Sequence, residues 1–192
     1  MKEIFYNKCY ICEFKEPTSI NVEHFKPHRG DKDLKFDWNN LFLCCSHCNN
    51  TKLAKAEYDD ILDCTNMNHL VEDWIKYEMK PFPKQNIEIT IKYDVITVRN
   101  TVKLLDSVYN GEHTQIKTIE TNNLKKALLR ELLDFQDCLC EYYDDDADKS
   151  EKEIYLKKIR KHLKRSSAFC AFKRWIVKEN NAYIKDFSAF LD

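Results

Sequence analysis

The chain has 192 residues, 43% apolar and 33% charged, with 31 basic side chains against 32 acidic ones. This is the balance of a globular chain long enough for one sizeable core, which excludes intrinsic disorder, and no apolar run approaches the length of a membrane-spanning helix. Only two glycines, Gly30 and Gly111, argue against a loop-rich β architecture and for helices joined by Asn- and Asp-based turns.

Residues 1 to 60 are irregular and rich in cysteine. The opening "MKEIFYNKCYIC" lacks the apolar stretch of a signal peptide, so a soluble, cytoplasmic protein is expected. Nine cysteines, an odd number, include two pairs at Cys-x-x-Cys spacing, and in a reducing compartment that pattern favours metal over disulfides. Cys9 and Cys12 form one knuckle and Cys45 and Cys48 the other; four thiolates close a tetrahedral structural zinc site. Cys44 competes for the site, but Cys45 gives the two-residue knuckle. Cys64, Cys138, Cys140 and Cys170 read as free thiols.

Between the knuckles lie "VEHFKPHRG" and then "WNNLFLCCSHCNNTK". With Glu23 and His24 on a strand and a helix beginning near Asn49, the knuckle pins the helix start against that strand and brings the three residues together. A carboxylate and an amide oxygen suit one magnesium or manganese ion with open positions for substrate. A neutral histidine beside such an ion can deprotonate water for attack on a phosphodiester.

Farther along, "NTKLAKAEYDDIL" predicts a helix from Asn50, and the prolines of "PFPKQ" (81–85) a break. "IEITIKYDVITV" predicts a hairpin with its turn at Tyr93–Asp94. Leu124, Leu128, Leu132, Phe135 and Leu139 then mark one helix, Leu156, Ile159 and Leu163 a second, and Phe169, Phe172, Trp175 and Ile176 a third. Ser150 with Glu153 three residues later reads as a capping box, placing a helix start near 151. The charges segregate: residues 131–148 hold eight acidic side chains and no basic one, and 149–178 eleven basic against two acidic. The division expected is a zinc-stabilised module over 1–60 and a mainly helical, partner-docking and core-completing region with one small β-hairpin over 61–192, an α+β fold.

The series Cys-x-x-Cys, Glu-His-x-x-Pro, Asn-Leu, Cys-x-x-Cys-Asn-x-x-Lys, from Cys9 to about Lys55, resembles the HNH endonucleases, whose core is the ββα-metal fold. The resemblance implies that His24 is the general base, that Glu23 and Asn49 hold the catalytic magnesium or manganese, that Asn40 orients the loop, and that the four cysteines carry structural zinc. Glu23 departs from the commoner aspartate, and the interval from His24 to Asn40 is longer than usual and lacks the usual glycine pair. The longer pattern, with "TVKLL" and "SSAFCAFKRW", is similar to the nuclease subunit of Septu-type and retron-associated anti-phage systems. That similarity implies a partner ATPase, an oligomeric assembly with it, and nucleic acid, DNA before RNA, as substrate.

Lys26, Arg29 and Lys52 flank the centre as candidate phosphate contacts, Lys52 foremost because it should lie on the helix beside Asn49. His28 reads as an exposed loop histidine, with phosphate contact as the alternative; His47 reads as exposed, and His69, His113 and His162 as structural or surface residues. The basic stretch from Lys157 to Arg165 is either the wet side of its helix or a surface for nucleic acid or an acidic partner. Three rival functions stand beside the nuclease of DNA: a non-catalytic zinc-binding recognition module, a structural subunit docked on an ATPase, and an HNH nuclease that cleaves an RNA such as tRNA.

Overall fold

The structure is a computed structural model that describes residues 1–80, 86–111 and 114–191. The break expected at 81–85 and His113 lie outside the described residues. Two knuckle segments frame the N-terminal part. Strand β1 (Ile20–His24) pairs antiparallel with β2 (Leu41–Cys45), Glu23 opposite Phe42 and His24 opposite Leu41. The connection carries helix α1 (Lys32–Phe36), whose Asp31 cap accepts from the backbone of Asp33 and Leu34, and a 3-10 turn over Trp38–Asn40.

Helix α2 (Ser46–Lys52) follows β2 without a loop, because Cys45 is at once a knuckle residue and the N-cap, its sulfur accepting from Cys48 N at 3.5 Å. The helix expected from Asn50 onward therefore begins four residues earlier. It stops at Leu53, which takes a left-handed φ of 47°, and only a 3-10 turn follows at Ala56–Tyr58. The chain has so few glycines that left-handed turns fall on side chains instead. Tyr6, Asn7, Glu13, Glu16, Arg29, Leu53 and Phe169 all have positive φ, several of them beside the knuckles. Asn7 is the only one of the Asn- or Asp-type expected, and each of the others carries a strain of about 1–2 kcal/mol that surrounding contacts must offset.

After the short helix α3 (Val71–Trp74), β3 (Ile75–Lys80) pairs antiparallel with β4 (Asn86–Ile91). A hairpin is thus present, but its second arm lies upstream. The segment expected to resume the strand at Val95 instead caps helix α4 (Ile96–Asn110). Val98, Thr101, Leu105 and Val108 recur at helical spacing on its buried side, and that outweighs the β-branched composition of its first turn.

Helix α5 (Gln115–Tyr142) buries Leu124, Leu128, Phe135 and Leu139 on one face. Helix α6 (Lys149–Leu163) starts two residues before the expected point. Its capping box is Asp148 with Glu151 rather than Ser150 with Glu153, since Asp148 accepts from both Ser150 N and Glu151 N. Helices α7 (Cys170–Lys178) and α8 (Asn181–Phe187) complete the fold.

The architecture is α+β, a small ββα unit followed by a mostly helical region. One apolar core crosses position 60 without interruption: Phe25, Phe42 and Leu43 of the ββα unit share it with Tyr58, Leu62, Ile75, Leu104, Leu105, Tyr109 and Phe172. A second cluster joins Phe135 and Leu139 to Ile159, Leu163, Val177 and Phe187. Polar contacts tie the same parts together. His47, expected to be exposed, is half-buried with its ring nitrogens 2.8 Å from Val108 O and 3.1 Å from Glu120 Oε2. Tyr109 donates to Cys12 O at 2.8 Å, and Glu13 accepts from Lys8 Nζ, Cys170 Sγ and Ala171 N, each at 2.9 Å. Among the described residues no helix is long and apolar enough to cross a membrane.

Candidate active site

The two knuckles converge. The sulfurs of Cys9, Cys12, Cys45 and Cys48 lie within 4.8 Å of one another, all in buried residues. Cys44 Sγ stands 3.9 Å from Cys9 Sγ but is not part of that group. Burial pushes the Cys12 and Cys48 thiols above their ordinary values, so ionised sulfur there calls for a cation. Four soft donors at that spacing, with no gap for a substrate, fit a closed zinc site.

The second knuckle starts α2 directly against β1, and this junction forms a cleft of about 350 Å³ whose lining includes Glu23, His24, His28, Arg29 and Asn49. His24 Nε2 donates to the Lys35 carbonyl at 3.0 Å, since a carbonyl can only accept. That bond fixes the ring and leaves Nδ1 with its lone pair. The His28 ring packs against it edge-on with centroids 4.8 Å apart, and His28 Nδ1 accepts from Gly30 N at 3.1 Å, which leaves His28 Nε2 for the cleft. Spacing alone did not single out His28; the histidine immediately after Pro27 was the available signal.

Asn40 is buried and is not part of the cleft lining. Its amide spans the loop, Oδ1 accepting from Lys26 N at 2.7 Å and Nδ2 donating to Lys26 O and Leu34 O at 2.9 Å each. Those bonds set where the Lys35 carbonyl lies and hence how His24 points.

Strand alternation sends Glu23 inward, though it still forms part of the cleft wall. Its Oε1 accepts from Lys52 Nζ and its Oε2 from the Tyr10 hydroxyl, both at 2.6 Å. Burial raises the Glu23 carboxyl above its ordinary value against the opposing pull of Lys52, and burial with the Glu23 charge raises Tyr10 as well. Each carboxylate oxygen keeps a second lone pair, so Glu23 and the half-buried Asn49 together offer hard donors to an ion in the cleft. Among the described residues, the four cysteines are the only place where three or more His, Cys, Asp or Glu donors converge. An ion in the cleft would take its remaining ligands from water and phosphate.

The three expected phosphate contacts fare differently. Lys52 is fully buried, and its ammonium donates to Glu23, His24 O and Phe25 O, so all three of its protons are used. Its ammonium is thus committed to Glu23 and to the end of β1. Arg29 lines the cleft but is paired through both terminal nitrogens with Asp59, at 2.6 and 2.8 Å. The Lys26 side chain is exposed and outside the cleft lining. Tyr10, which positions Glu23, went unnoticed because nothing in its spacing to Glu23 announces the contact. Phe36 and Trp38, 74% and 58% exposed, are large aromatics on the same loop as the Lys35 carbonyl.

Residues 9–55 match the family model described as HNH endonuclease. No curated protein and no solved structure matches the chain. The matched span runs from the first knuckle cysteine to three residues past Lys52, so it contains the four-cysteine group, both strands and α2. Over this span the chain is similar to the HNH endonucleases, and the α+β fold is the one described above.

Proposed function

We propose that the chain is a divalent-metal-dependent HNH endonuclease that hydrolyses phosphodiester bonds. The observation that carries this reading is the disposition of His24: its Nε2 is held by the Lys35 carbonyl, its Nδ1 is free, and it lies in one cleft with Asn49 and Glu23. Glu23 and Asn49 would hold magnesium or manganese, which supplies Lewis-acid polarisation of the scissile phosphate. His24 Nδ1 takes the proton of the attacking water, and the carbonyl on Nε2 stabilises the resulting imidazolium. Lys52 and Tyr10 keep the Glu23 carboxylate oriented, Asn40 holds the loop that aims His24, and Lys26 and Arg29 supply positive charge at the rim. Zinc on the four cysteines maintains the geometry and takes no part in the chemistry.

The finer reading rests on the similarity of the longer pattern to Septu-type and retron-associated nuclease subunits. The chain acts as the nuclease of an anti-phage complex with a partner ATPase, on DNA in preference to RNA. The near-zero net charge of residues 1–60 supports a partner that supplies affinity, because the module by itself carries no excess of cations for a duplex.

The deciding experiment is nicking of plasmid DNA, with a transcribed RNA beside it, by the zinc-loaded chain with manganese, magnesium or neither, alone and with the ATPase. Cleavage that needs the added ion and falls by about a hundredfold or more in His24→Ala is expected. Cleavage undiminished in His24→Ala, or none of either nucleic acid under any condition, would overturn the nuclease. Cleavage of RNA alone would overturn the preference for DNA.

A further inference from the structure

A second cleft, of about 300 Å³, shares no lining residue with the one at His24. Four cations line it, Arg160, Lys164, Arg165 and Arg174, and among the described residues no carboxylate does. They come from the end of α6, from the segment after it and from α7, so their convergence is a product of the fold and not of one charged helix face. Arg174 is buried and committed, donating to Glu72 Oε2 at 2.7 Å and to Leu163 O at 2.8 Å. The other three side chains are exposed, and none has a salt bridge among the described residues.

The cleft has two further properties of a built site. Tyr6 and Phe190, from the two ends of the chain, supply aromatic wall, and the Arg160 guanidinium lies over the Phe190 ring at 5.6 Å. The connecting segment is held from behind. Lys15 Nζ donates to Ser166 O at 3.1 Å, Ser167 N to Lys164 O at 2.9 Å, and Phe169 N to Glu13 O at 3.3 Å. Like charges lining one small cleft repel, and an anion between them relieves that repulsion. Guanidinium forks match phosphate oxygens in pairs, an aromatic ring accepts a nucleobase, and a volume near 300 Å³ is at the lower end of small-molecule sites.

We propose that this cleft binds the phosphate of a nucleotide, with Arg160, Lys164 and Arg165 on the phosphate oxygens and Tyr6 and Phe190 flanking the attached ribose and base. The phosphate belongs either to a free mononucleotide or to a nucleic-acid strand laid across the cleft. The proposal stands apart from nuclease activity and is read by binding alone.

The test is calorimetric titration of the zinc-loaded full chain, carrying His24→Ala so that no strand is cut, with inorganic phosphate, AMP and a 5′-phosphorylated tetrathymidylate. Arg160→Ala/Arg165→Ala and Lys164→Glu are made in the same background and checked for an unchanged melting temperature, which their exposed positions favour. Binding of AMP or the tetranucleotide that weakens about tenfold or more in both variants is expected. AMP binding as tightly as the tetranucleotide identifies a mononucleotide as sufficient, and binding by the tetranucleotide alone identifies a strand. No binding of any probe at low salt, binding unaltered in the variants, or inorganic phosphate bound as tightly as both nucleotides would overturn the assignment.

Discussion

Lys52 occupies a position where spacing pointed one way and packing another. Three residues beyond Asn49 on α2, it has the helical neighbourhood of a phosphate contact, yet its stem runs inward and its ammonium closes on Glu23 and on two carbonyls at the end of β1. A buried carboxylate stripped of its cation is left uncompensated, so Lys52→Met should destabilise the chain by about 3–5 kcal/mol in urea unfolding. Adding Glu23→Gln should recover part of that loss, since the charge left stranded is then gone. A Lys52→Met protein as stable as wild type, with only weaker substrate binding, would restore Lys52 to the phosphate. Tyr10→Phe isolates the second bond on Glu23: stability should fall by about 0.5–1.5 kcal/mol. Nuclease activity, if assayed, should fall further than stability does. The meeting of Glu23, His24 and Asn49 in one cleft follows from local order, because the second knuckle runs straight into α2 and sets its start against β1. The inward turn of Lys52 does not, because the side chain's direction is decided by what packs above α2.

At the level of elements, α5, α6 and α7 meet around His162. Its Nδ1 accepts from Lys173 Nζ at 3.2 Å, its Nε2 lies 3.3 Å from Asp134 Oδ2, and the Phe135 ring packs against it at 5.6 Å. Burial, and then the charge of Lys173, hold His162 below its ordinary value of 6.5, with Asp134 and Glu131 opposing and Lys161 adding to the shift. The unfolded chain then binds the proton more readily than the folded one. Stability is therefore full above the unfolded value and falls as the pH drops below about 6.5, until the folded value is passed. Urea midpoints between pH 7 and 5 should decline less steeply in His162→Gln than in wild type, and identical slopes would show that His162 does not titrate against Lys173. The same three helices show what local patterns convey. The apolar spacing located all of them, and the Ser150–Glu153 pattern placed the start of α6 within two residues, although the box that forms is Asp148 with Glu151, because Asp148 reaches two backbone amides. The hairpin partner went wrong for a different reason: β4 has a strand's alternation on its own, and nothing within it says whether its mate lies before or after it.

At the scale of the molecule, the four-cysteine site, the ββα unit and the helices share one core. The four cysteines belong to the same apolar cluster as Val108, Tyr109 and Phe172, and Tyr109 bonds the backbone of Cys12. Removing zinc should therefore melt helix well outside the knuckles. A chelator titration followed by far-ultraviolet circular dichroism is expected to show one cooperative loss of helical signal, and retention of the full signal by the zinc-free chain would contradict it. By the same argument residues 1–60 alone, deprived of Leu104, Leu105 and Tyr109, should give the poorly dispersed amide spectrum of an unfolded chain. What could be read in one dimension was the cysteine knuckles, the glutamate–histidine loop between them, the α+β class and the apolar faces of the helices, since each is a spacing between near neighbours. The paired Glu23–Lys52, the partner of β4, the docking of His47 and the cationic cleft shared by Tyr6, Arg160 and Phe190 were settled only by the folded chain. In the pairing of Glu23 with Lys52, the docking of His47 and the cationic cleft, the residues that meet are far apart in sequence, and no local pattern encodes the path that brings them together.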